Sequence, residues 1–418
     1  MTSVDSASGP VSEPVYQPVS QPAAEPAPEA AAQGVPAQPG PREQHAKAAP
    51  KRVPLDVRAS DALLGWMDRL TGPTRGTYQA AMLRVGFGLV FLITLLREVL
   101  NRRELWGDQS PWSPDMARRL LSGVNGSSLL LLRDDRWWFE LMYVLAIVFT
   151  TLFVLGWHTR ATAVLFYVMV ESFKERSILM TDGGDVVLGL MAFYLMFTAS
   201  GRVWSLDARR ARRTGRGASP GPGQETGVLV ALVAVVAVGL LLPWWSALIG
   251  AAIVFVGMWR LPFELEQLRI AVVSAMHHCA MVVIAAQVCI VYGAAGLFKV
   301  QGGRWQDGTA MHYALRLEYF SPWPSLSHIA EGGAVGGTLI AYLTVFTQVG
   351  FAFLVFAKRA KYVAIAILLG MHLGIAVLLG LPMFSASMAL GDAVFLPTAF
   401  LLWVRARVPW PRPRTLRG

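Results

Sequence analysis

Long runs of apolar residues, interrupted by short polar or basic stretches, occupy most of the chain from Thr77 to Trp403. Ten runs stand out, at 77–100, 138–157, 161–173, 184–200, 226–243, 245–259, 270–293, 334–356, 362–380 and 384–403. A helix needs about 20 apolar residues to cross ~30 Å of hydrocarbon, and most of the runs approach that length. Those at 161–173 and 245–259 are shorter, and either tilt differently or re-enter the layer from one side. Pro243-Trp244-Trp245 stops a helix and supplies interfacial tryptophans, which divides 226–259 in two. The pattern predicts an all-α integral membrane protein with about ten transmembrane helices.

The flanks read differently. Eleven of the 25 prolines fall before residue 55, with Pro14, Pro18, Pro22 and Pro26 four apart in an Ala, Gln and Glu background. Such a tail buries too little apolar surface to offset its ordering entropy, so 1–55 is expected to be disordered and partly polyproline II. It lacks an apolar h-region and carries Asp5, Glu13, Glu25 and Glu29, unlike a signal peptide, so targeting falls to the first membrane helix. Within 56–76, Leu63, Leu64, Met67 and Leu70 face away from Asp61, Asp68 and Arg69, which predicts a short helix lying on the membrane surface. The membrane domain then covers 77–403 with a basic linker at 201–225, and 404–418 is a basic tail.

Composition supports this division and charge orients it. The chain has 418 residues, 54% hydrophobic and only 15% charged, against about 25% charged in soluble domains. The net charge of +10 lies between the apolar runs. Lys and Arg there hold loops in the cytoplasm, and no basic, aromatic nucleic-acid module is visible. With both termini cytoplasmic, the arginines of 202–216, the Lys358-Arg359-Ala360-Lys361 turn and the tail arginines 405–417 all share one side with Lys47, Lys51, Arg52 and Arg75. One helix more or fewer between 216 and 358 would break that agreement. The only cysteines, Cys279 and Cys289, lie in one apolar run, point to different sides of a helix and form no zinc pattern. No metal is expected.

The other side receives two long segments, 101–137 and 294–333, rich in tryptophan and expected to fold back on the membrane. Ser113-Pro114-Asp115 should start a helix whose Met116, Leu120 and Leu121 face lipid.

Ionisable residues inside apolar runs are the candidates for chemistry, because burying charge in hydrocarbon costs several kcal/mol. Arg84, His277 and His278 lie toward the basic side. Glu171, Asp182, Asp185, Lys299, His372 and Asp392 lie at or beyond mid-membrane on the other. Each has a plainer role open to it: snorkelling for Arg84 and Lys299, a hydrogen-bonded core position for the histidines, a helix N-terminal charge for Asp185. The chemical alternative is Lys299 as a general base. An amine held out of water is more readily neutral, and a neutral amine accepts a proton, with His372 or Asp392 orienting or relaying it.

Ala294-Ala295-Gly296-Leu297-Phe298-Lys299-Val300, followed by Trp305-Gln306-Asp307-Gly308-Thr309-Ala310, resembles the HTTM (horizontally transferred transmembrane) domain family, which is related to the vitamin K-dependent gamma-glutamyl carboxylase. The Arg84-centred run, Gly183-Gly184-Asp185 through Trp204-Ser205-Leu206-Asp207, and Met371-His372 with Leu381-Pro382-Met383-Phe384 fit as well, so that the likeness covers about 77–403. It is similar to actinobacterial-type members. The resemblance implies that Lys299 is the base that deprotonates a quinol of the vitamin K or menaquinone type. With it come His372 and Asp392 as catalytic candidates and Arg84, Asp185 and Trp305 as candidates for holding the cofactor. It also implies a cell-membrane location and a thiol-disulfide oxidoreductase-like partner beside the lipid bilayer. Where the carboxylase carries a histidine, this chain reads Asp182-Gly183-Gly184-Asp185, and no large lumenal domain precedes Gly418. A retained quinol or lipid site is therefore expected in place of glutamate carboxylation. The alternative is a non-catalytic transport or partner-binding protein on the same scaffold.

Overall fold

A backbone surrounded by hydrocarbon can satisfy its amides only along its own chain, which turns apolar runs into helices. The computed structural model describes residues 65, 69–123, 126, 128–213, 266–330 and 333–407, and all regular structure among them is helical. The main elements are α1 (Thr77–Arg97), α2 (Pro114–Gly123), α3 (Arg136–Leu155), α4 (Thr159–Arg176), α5 (Gly183–Leu195), α6 (Leu206–Arg213), α7 (Glu266–Gln301), α8 (Gly333–Leu354), α9 (Lys358–Leu378), α10 (Pro382–Gly391) and α11 (Thr398–Arg407). Five of these, α1, α3, α7, α8 and α9, are long and apolar enough to cross a membrane. The pair α10–α11 makes a sixth only if its 120° bend is counted within one span. The protein is thus a helical bundle suited to a bilayer.

Several expected boundaries change, for identifiable reasons. Glu171, Lys174, Glu175 and Arg176 crowd the end of α4 and lower its apolarity. α5 has 13 residues, about 20 Å, and is largely buried among its neighbours. The run at 384–403 does not stay one helix. Pro397 has no amide to donate and forces extended backbone on Leu396 (φ −70°, ψ 140°), so α10 and α11 part there. The run at 270–293 is longer than its pattern suggested, since α7 continues through Ala294 to Gln301 and carries Lys299 within the helix. Of the expected surface stripe on α2, Met116 and Leu120 are exposed but Leu121 is buried. The expectations for 1–55, 226–259 and 408–418, and for most of 56–68, lie outside the described residues.

Hydrogen bonds fix which helix ends lie together. His277 of α7 accepts the Ala199 amide at Nδ1 (3.0 Å) and meets the Arg75 carbonyl at Nε2 (2.7 Å). His278 accepts the Arg75 amide at Nε2 (3.0 Å) and meets the Leu70 carbonyl at Nδ1 (2.8 Å). Each ring accepts one backbone N–H on one nitrogen and meets a carbonyl with the other. These bonds bring the starts of α1 and α7 to the end of α5. Gln79 of α1 reaches the Leu396 carbonyl (2.8 Å), which adds the α10–α11 break to that end. At the opposite end, Tyr342 of α8 donates to the Gln306 carbonyl (2.8 Å), just beyond α7. α8 therefore returns toward the first end, where Lys358 opens α9. The arginines of α6 follow closely after Ala199 and Arg202, which bond His277 and Thr74 at this end. Lys299 lies 22 residues farther along α7, about 33 Å away.

Small residues set the helix spacing around α1. A Cβ on Gly86 would run into Leu390 of α10, and one on Gly88 into Val154 of α3. At the far end the fold-back segment is tied down by Arg176, which is buried and donates to the carbonyls of Gly107 (2.9 Å) and Trp112 (2.9 Å). On that segment Arg103 donates to Asp108 (2.6 Å), and this bond holds the Asp108 carboxyl below the usual carboxylate range.

The α3–α4 corner shows how a helix break is satisfied inside the bundle. Gly156 closes α3 at φ 67°. The amides of His158 (3.0 Å) and Thr159 (2.7 Å) and the Thr159 hydroxyl (2.7 Å) all donate to Asp207. Asp207 therefore caps a helix about fifty positions earlier in the chain. Asp207→Ala should lower the thermal unfolding midpoint of the detergent-solubilised protein, by the ~1–2 kcal/mol of a lost N-cap or more. A differential scanning measurement checks it, with the exposed Asp115→Ala as the silent comparison.

Candidate functional site

Seven positions separate Tyr292 from Lys299 on α7, which places both on one helix face about 10 Å apart along the axis. Lys299 is half-buried. Its ammonium donates to the Ala295 carbonyl (3.4 Å) and lies 5.3 Å from the centre of the Trp305 ring. Among the described residues no carboxylate pairs with it. Leu297, Phe298 and Val300 around it are exposed apolar residues, 75% exposed in the case of Phe298. Two of the predicted residues, Lys299 and Trp305, are thus brought together at the edge of the bundle.

Two others meet deeper inside. His372 of α9 and Asp392 after α10 are both buried, and Tyr292 stands between them. The Tyr292 hydroxyl donates to Asp392 Oδ2 (3.1 Å) and its oxygen lies 3.1 Å from His372 Nε2. With the phenolic proton directed at Asp392, the oxygen accepts from an Nε2–H, which gives a continuous donor chain from histidine through tyrosine to carboxylate. The outer atoms, His372 Nδ1 and Asp392 Oδ1, have no protein partner. Phe351 packs edge-on against Tyr292 at 5.1 Å and against Phe395 at 5.5 Å, and shields the chain. Tyr292 was not singled out by the sequence reading. A tyrosine in an apolar run reads as core, and the signal that exposes it is a fully buried hydroxyl lying between two ionisable side chains.

The remaining predicted residues take other positions. Arg84 is fully buried at the α3–α4 corner, away from Lys299. It donates to the carbonyls of Phe153 (3.0 Å) and Trp204 (2.5 Å), with the Asp207 charge nearby. Trp204 adopts a left-handed conformation (φ 51°) that turns its carbonyl to the guanidinium. Asp185 forms a reciprocal capping box with Asp182: the amides of Gly184 (2.6 Å) and Asp185 (3.1 Å) donate to Asp182, and the Asp182 amide donates to Asp185 (3.0 Å). Glu171 is held by Lys174 (2.5 Å) against the space left by Gly189.

Asp185 nevertheless faces open volume. A cavity of about 100 Å³ lies among α1, α4, α5 and α10, with Phe91, Arg97, Trp106, Lys174, Asp185 and Phe384 in its wall. The Phe384 ring is also 6.0 Å from that of His372, so one side chain separates the cavity from the buried chain. No group of His, Cys, Asp and Glu among the described residues is arranged to hold a metal ion.

No protein-family model, curated protein or solved structure matches this chain. The likeness to the HTTM family therefore rests on the motifs themselves.

The two groups of residues differ in what they hold in place. Tyr292→Phe strands a buried imidazole N–H and a buried carboxylate, each worth ~1–3 kcal/mol. Its unfolding midpoint in nanodiscs should fall, whereas Lys299→Ala, which removes one long hydrogen bond at an exposed edge, should unfold close to wild type.

Proposed function

We propose that the chain is a membrane protein of the HTTM kind, with about ten spans and both termini cytoplasmic, placed in the cell membrane. Its Lys299 acts as general base on a quinol, or a similar lipid headgroup, entering from the outer leaflet. The observation that carries this reading is the state of Lys299: half out of water, stacked over Trp305 and unpaired with any carboxylate among the described residues. A lysine that only anchors a helix end extends into the aqueous phase. One held against an indole beside lipid-facing Leu297 and Phe298 is positioned to meet a headgroup whose tail remains in the bilayer. The reaction class is removal of a proton from a ring hydroxyl. Arg84 is occupied by backbone carbonyls, so of the expected cofactor contacts Trp305 is the one beside the base, and Asp185 belongs to the neighbouring cavity.

The cavity among α1, α4, α5 and α10 favours a second reading, passage or retention of a small polar solute by a non-catalytic scaffold. Solute flux in proteoliposomes free of quinone would select it.

The decisive comparison measures binding of a short-chain naphthoquinol to purified wild-type protein and to Lys299→Ala, both monodisperse in nanodiscs. The variant should bind at least tenfold more weakly. A folded Lys299→Ala protein with wild-type affinity and turnover contradicts the proposal.

A further inference from the structure

The chain His372–Tyr292–Asp392 ends on two bare atoms. His372 and Asp392 are 3% and 1% exposed, yet Nδ1 of the first and Oδ1 of the second have no partner. A buried acceptor left unpaired costs ~1–3 kcal/mol, and native structures keep such groups where something else engages them. Here the two orphans are the opposite ends of one hydrogen-bonded line, and both are atoms that bind a proton.

The surroundings leave few other counter-charges. From α7, Cys289 and Tyr292 face Asp392, and from α9 the facing group is His372. On α1, Arg84 is directed at the carbonyls of Phe153 and Trp204. Lys299 is the cation whose charge acts on His372. A carboxylate so placed is either charged without a contacting cation or carries a proton, and the tyrosine gives that proton a path.

We propose that His372, Tyr292 and Asp392 form a proton-holding line inside the bundle, with His372 Nδ1 as its entrance and the Asp392 carboxyl as its store. A proton arriving at Nδ1 makes the imidazole cationic. The Nε2 proton then moves to the Tyr292 oxygen, and the phenolic proton moves to Asp392 Oδ2. The result is a neutral imidazole, a restored phenol and a neutral carboxylic acid. One proton has entered and nothing has been oxidised. The line stands without the quinol reading. Where that reading holds, Lys299 is the donor at the entrance, and its amine is restored for another cycle. Tyr292 is then a positioning residue of the proposed chemistry, joining two groups that do not touch.

The test is infrared difference spectroscopy on the full chain in nanodiscs, with a pH step as trigger. The expected result is a deuterium-sensitive carboxylic-acid carbonyl band in the wild type. Asp392→Asn should abolish it, Tyr292→Phe should slow its appearance through loss of the path and move it to higher frequency through loss of the hydrogen bond, and Lys299→Ala should retain it. Tyr292→Phe keeps the ring's shape and remains informative if Asp392→Asn does not fold. A wild-type spectrum without the band, a band that survives Asp392→Asn, or one that Tyr292→Phe leaves unmoved overturns the line. Addition of the naphthoquinol should strengthen the band in wild type but not in Lys299→Ala. A band with the predicted variant pattern and no response to bound quinol supports the line and removes only its link to Lys299.

Discussion

A backbone that leaves its helix inside an apolar layer must find hydrogen-bond partners in protein side chains, and this constraint accounts for several of the polar residues inside the bundle. Arg84 takes the carbonyls of Phe153 and Trp204, and Arg176 takes those of Gly107 and Trp112. Asp207 takes the first amides of α4, while His277 and His278 together bind the backbone of Leu70, Arg75 and Ala199. The backbone that each of them bonds lies at or beside a helix end. The bundle therefore depends on charged and polar side chains that bond its backbone. Gly156 belongs to the same device, since any Cβ there would enter the space of the Arg84 guanidinium.

Against that background the residues that do not serve the backbone stand apart. Tyr292, His372 and Asp392 bond one another. Lys299, whose one backbone bond is long, lies over an aromatic ring at the lipid-facing edge of the same helix. The cavity wall adds Arg97, Lys174 and Asp185, one phenylalanine away from the buried chain. These groups lie farther along the bundle than His277, toward the side from which the proposed headgroup would enter.

Much of this was legible in the sequence. Hydropathy located α1, α3, α8 and α9 within a few residues, since the length of an apolar run reports directly on how far a helix must travel, but it missed the last eight residues of α7. Ser113-Pro114-Asp115 started α2 as written, with the Ser113 hydroxyl accepting the Met116 amide (3.3 Å). Lys299 and Trp305 were both named as candidates, but their contact with one another was not foreseen. What pattern could not supply was partner identity. Nothing local to Arg84 shows that Trp204, far along the chain, will turn its carbonyl inward, and nothing local to Tyr292 marks it off from the other aromatic residues of the core. The break at Pro397 was visible as a residue type, but an apolar run on both sides concealed its consequence.

The whole account requires the basic connectors and the Lys299 corner to lie on opposite faces of the membrane. Cysteine labelling tests this most directly, after replacement of Cys279 and Cys289 by serine. Arg304→Cys should react with a membrane-impermeant maleimide on intact cells, and Arg212→Cys should react only once the membrane is opened. Reaction of both positions from the same side would contradict the helix alternation, and with it the placement of Lys299 and its neighbours at the outer face.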